Sequence, residues 1–304
     1  MRFVELNEQM KGSVVSMGCM RISNKSDEEI DRLIHTALDT GVNHFDHANI
    51  YGGGQSEEVF GRWLAKNPGI REKILIQSKC GIRPGAYDFS KEHILSEVEG
   101  SLKRLGVTYL DTLLLHRPDA LMEPEEVSEA FSKLEKEGKV RSFGVSNFNP
   151  MQRRLLQSGL SQKLIVNQMQ FSLMHTPMID FGIHTNTRFD GAINREGGVL
   201  EDCRLEHMTL QAWSPFQHGF FEGVFVDNEK FPKLNQALAE LAEIHHLTKS
   251  GIAVAWLLRH PVKQQVVLGT TTPERMREMA AGADCVLSRT EWYQLYLAAG
   301  NQLP

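Results

Sequence analysis

Two rhythms of apolar residues alternate along the chain. Short apolar runs such as Ile74-Leu75-Ile76 and Leu113-Leu114-Leu115 suit buried strands, and between them apolar positions return at helical spacing. A hairpin is predicted over residues 2–16. The first helix begins at Ser26, three residues before Glu29 in a capping box, carries Ile30, Leu33, Ile34, Ala37 and Leu38 on one face, and stops at Gly41. Strand 42–46 follows. Ser56 is placed to cap a second helix, whose Val59, Phe60, Trp63 and Leu64 form one face before Pro68. The cycle continues with strand 74–79, helix 90–105, strand 110–116, helix 124–137, strand 140–145, helix 149–158 and strand 164–168. Further on come a helix near 199–206, strand 209–213, helices around 231–259, strand 265–268 and a helix from Thr272.

Strands alternating with helices imply a parallel sheet. With no linker or break in composition, the pattern favours a closed (β/α)8 TIM barrel with an N-terminal β-hairpin, a single domain over residues 1–304. A doubly wound sheet is the rival. It calls for G-x-G-x-x-G after the first strand, and the run Gly52-Gly53-Gly54 lacks that spacing, so it reads as a tight loop. Residues 171–198 and 214–230 form long loops leaving the carboxyl ends of strands, where lids and substrate walls are commonly built.

Composition narrows the partners. The 304 residues are 41% hydrophobic, enough for a full core, and a net charge of −5 gives no general attraction to nucleic acid or to an anionic membrane. Small molecules are the expected ligands. Cys19, Cys80, Cys203 and Cys285 lie far apart and form no C-x-x-C pair, which fits reduced thiols in a cytoplasmic protein. The N-terminal residues show no secretory pattern, and no apolar run approaches the ~20 residues of a membrane span. The longest run, Ile252 to Leu258, reads as a buried helix face.

Chemistry gathers where the predicted strands end. Asp46, Lys79, His116, Ser146-Asn147, Gln168, Trp213-Ser214 and Gly269-Thr270 all stand at carboxyl ends, which a barrel points at one mouth. Tyr51 lies five residues beyond Asp46. A phenol has a pKa of about 10, and a neighbouring ammonium such as Lys79 is expected to bring it down. Asp46 is the natural counter-ion for that ammonium, and His116 can orient a substrate oxygen. The set suits Tyr51 as general acid toward an alkoxide formed when a carbonyl takes up hydride.

These residues carry a family resemblance over essentially the whole chain. Asp46-x4-Tyr51-Gly52, Lys79, His116-Arg117-Pro118-Asp119, Gly144-Val145-Ser146-Asn147-Phe148, Asn167-Gln168, Ala212-Trp213-Ser214-Pro215 and Gly269-Thr270-Thr271-Thr272-Pro273-Glu274-Arg275 occur in the order found in aldo-keto reductases. Within that family the chain resembles bacterial oxidoreductases of the YdhF-like kind. The resemblance implies NADP(H) as cofactor, a small-molecule carbonyl substrate, and Asp46, Tyr51, Lys79 and His116 as the catalytic tetrad. It also implies that Ser146, Asn147 and Gln168 hold the nicotinamide carboxamide, that Trp213 stacks on the ring, and that Gly18, Cys19 and Met20 lie beside the cofactor. Ser214, Pro215 and Phe216 join the same set. Gly269, Thr270, Thr271 and Arg275 are expected around the adenosine 2′-phosphate. Thr272-Pro273 reads as a helix start with a hydroxyl cap and proline at N1, a good phosphate site.

The chain departs from the family pattern at four positions. Trp213 stands where tyrosine is frequent, Gly269 where many relatives have lysine, Met279 where asparagine is common, and Met20 where tryptophan is common. Preference for NADPH therefore leans on Arg275 and the threonines. A monomer is expected. Two other readings compete. A metal-dependent barrel hydrolase could draw on His44, Asp46, His47 and His116, but no acid closes the last strand and His44 also reads as a core residue. An NADPH-binding sensor would keep the fold and turn over negligibly.

Overall fold

The computed structural model describes residues 1–193 and 198–303. Eight parallel strands close into a barrel: β1 (Val15–Gly18), β2 (His44–Asp46), β3 (Leu75–Cys80), β4 (Thr112–Leu115), β5 (Phe143–Ser146), β6 (Leu164–Gln170), β7 (Thr209–Trp213) and β8 (Gln264–Leu268). Each pairs with its successor, and β8 returns to β1 with Val266 opposite Val15. A strand in such a barrel is covered on both faces, and all seven residues of β6 are buried. That is why the strands read as apolar runs rather than as alternation.

The helices are α1 (Asp27–Asp39), α2 (Gln55–Lys66), α3 (Lys91–Leu105), α4 (Pro124–Lys136), α5 (Pro150–Gly159), α6 (Pro177–Ile183), α7 (Val199–Leu205), α8 (Pro232–His245), α9 (Lys249–Arg259), α10 (Pro273–Ala281) and α11 (Arg289–Ala298). Ser26 caps α1 in the expected box with Glu29. The apolar face of α9 is buried from Gly251 to Leu257. Trp256 of α9 stacks on Trp292 of α11 at 4.9 Å, and each indole N–H donates to the other residue's carbonyl, at 3.0 and 3.1 Å. This reciprocal pairing fastens α11 to the barrel and satisfies both buried donors.

Several local expectations change. The hairpin is Phe3–Glu5 with Lys11–Ser13, and Val15 onward already belongs to the barrel. Ser56 lies inside α2, buried, with its hydroxyl donating to the Met20 carbonyl at 3.4 Å, while Gly54 takes the cap position. Thr272 does occupy the cap position of α10, yet its hydroxyl accepts no capping bond. The helices expected around 231–259 are two, as read, and they meet where His246 turns left-handed and Thr248 caps α9. The insertion 171–198 holds α6 and a short 3-10 turn at Asp190–Ala192, and residues 194–197 lie outside the described residues. No described helix is long and apolar enough to cross a membrane.

Candidate active site

Three of the four candidate catalytic residues come from consecutive strands. Asp46 ends β2, Lys79 sits near the end of β3, and His116 follows β4. Tyr51 arrives differently, at the head of a 3-10 turn, Tyr51–Gly54, that leads directly into α2. Three successive glycines with φ of 59°, 65° and 96° make that turn, and a Cβ on Gly52 would meet Ser23 at 2.6 Å. The glycine run is therefore the device that holds the phenol over the barrel.

Lys79 ties the cluster together. Its ammonium donates to both Asp46 carboxylate oxygens and to the His47 carbonyl at 2.8 Å each, and lies 3.1 Å from the Tyr51 hydroxyl. Lys79 is fully buried and Asp46 nearly so. Burial opposes charge on both, but their mutual attraction outweighs it: the Asp46 pKa stays below its ordinary value and that of Lys79 above. Tyr51 departs from the sequence expectation. Enclosure raises its pKa above 10, and the lowering pull of Lys79 only partly offsets this, so the phenol is protonated at neutral pH.

His116 meets the Tyr51 ring edge-on at 6.0 Å. Burial, then Lys79, push its pKa down to about 3, against the opposing pull of Asp46. It is a neutral imidazole, and its Nδ1 is buried without a partner among the described residues. His44 and His47 are buried as well, and burial lowers them to about 4 and about 3. His44 Nδ1 bonds the Ser16 hydroxyl at 2.7 Å. No group of three His, Cys, Asp or Glu able to hold a metal ion occurs among the described residues.

These depressed histidine values make acid sensitivity predictable. The unfolded chain takes up protons near pH 6.5 and the folded chain does not, so folding stability is complete above that value and declines as pH falls below it. His44 and His47 should each contribute up to about 1.4 kcal/mol per pH unit until their folded values are reached. Denaturant midpoints that fall between pH 7 and pH 5 by less in a His47→Gln variant than in the wild type would bear this out; parallel curves would refute it.

Below the four candidate catalytic residues lies a set of buried amides, of which the sequence reading had singled out only Gln168. Gln77 and Gln168 both donate to Asp46 Oδ1, at 2.7 and 3.0 Å, and both donate to Gln211 Oε1, at 2.7 and 2.9 Å. Gln211 in turn donates to Gln77 and to Gln265 at 3.1 and 2.9 Å, and Gln265 donates to the Ser13 carbonyl at 2.8 Å. The chain of donors ends on backbone, which fixes every amide's orientation and holds the carboxylate still. The available signal was an inward glutamine interrupting an apolar strand on β3, β7 and β8.

A cavity of about 1040 Å³ opens above this floor. Of the residues singled out by sequence, Gly18, Met20, Asp46, Tyr51, His116, Ser146, Asn147, Gln168, Trp213, Ser214, Pro215, Phe216, Gly269, Thr270 and Arg275 line it. Lys79 sits beneath the lining. Cys19 is buried behind the wall, and Thr271 is not part of the lining. Asn147, in the left-handed region at φ 62°, donates to the His116 carbonyl at 3.2 Å and accepts from the Trp213 indole at 3.1 Å. That bond sets the Trp213 ring against the mouth. Arg117, Ile50 and Glu278 also line the cavity, and the sequence reading gave them no role.

Chemically this is a barrel enzyme equipped to move a proton at an oxygen atom. Residues 14–296 match the model of the aldo/keto reductase family, and the chain belongs to that family. YcsN of Bacillus subtilis, described as an uncharacterized oxidoreductase, is 36% identical with both chains covered in full. The oxidoreductase YdhF of Escherichia coli is 36% identical over 95% of this chain and 94% of its own, and a 6-dehydroglucose reductase of Agrobacterium fabrum is 34% identical over the whole of both. The crystal structure of a thermostable aldo-keto reductase, Tm1743, in complex with the inhibitor epalrestat superposes with a TM-score of 0.77 at 28% identity, covering 98% of this chain and 100% of that one. The protein is thus an NAD(P)H-dependent oxidoreductase of carbonyl compounds.

Proposed function

We propose that the protein reduces an aldehyde or ketone to the alcohol with NADPH, using Tyr51 as general acid. The observation that carries this reading is the Lys79 ammonium bridging the Asp46 carboxylate and the Tyr51 hydroxyl at 2.8 and 3.1 Å on the cavity floor. The cavity suits a dinucleotide. It reaches from Tyr51 and His116 to Thr270 and Arg275, and its volume of about 1040 Å³ lies at the upper end for small-molecule sites. At the far end the first turn of α10 has no side-chain cap, and Arg275 of that turn lines the cavity, a pairing of free helix N–H groups and guanidinium suited to phosphate.

In this account Ser146, Asn147 and Gln168 hold the carboxamide and Trp213 supports the ring. The Gln168 amide nitrogen is already committed to Asp46 and Gln211, which leaves its oxygen to accept from the carboxamide. Bound there, NADPH would supply the hydride that the carbonyl carbon takes up. Tyr51 gives its proton to the carbonyl oxygen, and Lys79 stabilises the phenolate that remains. Asp46 keeps the lysine charged and aimed. Neutral His116 donates a hydrogen bond that orients the same oxygen.

The acid must carry its proton, so reduction should fall only as pH rises through the elevated Tyr51 value, and the reverse oxidation should gain over the same interval. His116, held to about 3, adds no limb near pH 6.5. Reduction profiles flat from pH 6 to 8 support the assignment; a half-activity point near 6.5 that vanishes in His116→Gln would make the imidazole the titrating donor.

Selection of NADPH is tested at the far end. Arg275→Ala should weaken NADPH about tenfold to a hundredfold, the worth of a charge-assisted hydrogen bond, with little change for NADH. Equal loss for both nucleotides would remove the 2′-phosphate role from α10.

A further inference from the structure

Arg117 follows His116 and lines the cavity beside it, and no part of the mechanism uses it. Among the described residues its guanidinium makes no hydrogen bond and no ion pair. Asp119, two residues on, and Asp46 and Asp227 on the cavity lining are each engaged elsewhere. Asp119 accepts from the Leu121 and Phe89 backbone at 2.9 and 3.0 Å, Asp46 is locked to Lys79 at 2.8 Å, and Asp227 is paired with Lys249 at 2.5 Å. Aromatic rings hold it instead, with Trp213 and Phe220 at 5.7 and 5.9 Å from the guanidinium carbon. A guanidinium resting on ring faces keeps its N–H fork free for a planar anion. The residue is only half-buried, so the fork is accessible.

Resting on the carbonyl-reductase reading above, we propose that Arg117 is a specificity residue that selects carbonyl substrates bearing a carboxylate. The carbonyl oxygen lies between Tyr51 and His116, the carboxylate meets the Arg117 fork, and the body of the substrate rests against Phe220 and Phe221, beyond the Trp213 ring that supports the nicotinamide. Phe221 stacks on Trp213 at 6.0 Å and Phe220 meets it edge-on at 6.3 Å, so that wall accepts a flat apolar body. The loop that carries both phenylalanines, residues 214–230, thereby shares in substrate choice with the strand that carries His116.

Paired probes test this directly: meta- and para-carboxybenzaldehyde against the matching methylbenzaldehydes, each with NADPH. The readout is the ratio of kcat/KM for the charged probe to that for the neutral one, compared between wild type and variants so that intrinsic reactivity cancels. At least one carboxylate position should show a ratio that falls about tenfold to a hundredfold in Arg117→Gln, the loss expected of a charge-assisted bond, and is largely kept in Arg117→Lys. Arg117→Glu should lower it further and create a preference for a para-trimethylammonio aldehyde. Ratios that stay constant across these variants while the neutral aldehydes are turned over would overturn the role of Arg117 and leave the reductase reading standing. Absence of NADPH-linked turnover on every probe would overturn both.

Discussion

Replacing Tyr51 by phenylalanine should lower carbonyl reduction by about a hundredfold to ten-thousandfold, the range attributed to a positioned general acid. The ring that lines the cavity is kept and only the hydroxyl is lost, so NADPH affinity should stay near the wild-type value. Lys79 then has no proton donor to tune, although its three bonds to Asp46 and His47 persist. The effect should therefore appear in kcat and kcat/KM together, as expected when an interaction made only in the transition state is removed. Steady-state rates beside a nucleotide-binding titration provide the check. Wild-type turnover in Tyr51→Phe would hand the proton to another group, and a matching collapse of NADPH affinity would mean that the phenol is a binding residue.

Replacing Lys79 by methionine should have a double effect. Activity falls because nothing then stabilises the phenolate, and stability falls because Asp46 is left as a buried charge held only by amides. Breaking a buried ion pair from one side costs about 3–5 kcal/mol, a large share of a domain's stability. The paired change Lys79→Met with Asp46→Asn should regain most of that stability, since no unpaired charge remains, while activity stays low. Chemical denaturation and turnover on the three proteins separate the two effects. If the double variant were as unstable as the single one, the loss would come from packing around the lysine stem. If it recovered activity, Lys79 would have no part in the proton transfer.

The barrel was legible because its physics is repetitive. Strands buried on both faces leave apolar runs, helices covered on one face leave the three-to-four spacing, and capping boxes such as Ser26 with Glu29 mark where a helix begins. The meeting of Asp46, Lys79 and His116 was legible for the same reason: strand ends in a barrel converge whatever their distance in sequence. What the reading missed depends on contacts that sequence spacing does not encode. Ser56 looks like a cap but turns inward to Met20, and Thr272 stands at a cap position without making the bond. The last helix was passed over although Ser288 and Glu291 form a full capping box, because its apolar residues do not fall on one clear face. The amide chain joins Gln168 to Gln77, Gln211 and Gln265 across four strands, and each of the last three alone reads as an ordinary interruption. Arg117 was quoted within a motif, yet its missing counter-ion shows only when Asp119 is seen bonded to backbone.

The direction of the Tyr51 shift is the point of chemistry most changed by the three-dimensional arrangement. Charge proximity alone suggested a lowered pKa, but enclosure wins. On the proposed reading the phenol would be stored as an acid, ready for a carbonyl oxygen whose basicity rises as hydride arrives, and the lysine would act mainly on the state left behind.

Product stoichiometry tests the central claim most directly. Wild-type protein supplied with NADPH and a panel of small aldehydes, dicarbonyls and ketones should form one alcohol for each NADPH consumed, and Tyr51→Phe should form almost none while binding the nucleotide as before. Tight NADPH binding by the wild type with no alcohol from any member of the panel would contradict the account and favour a nucleotide-sensing role on the same barrel.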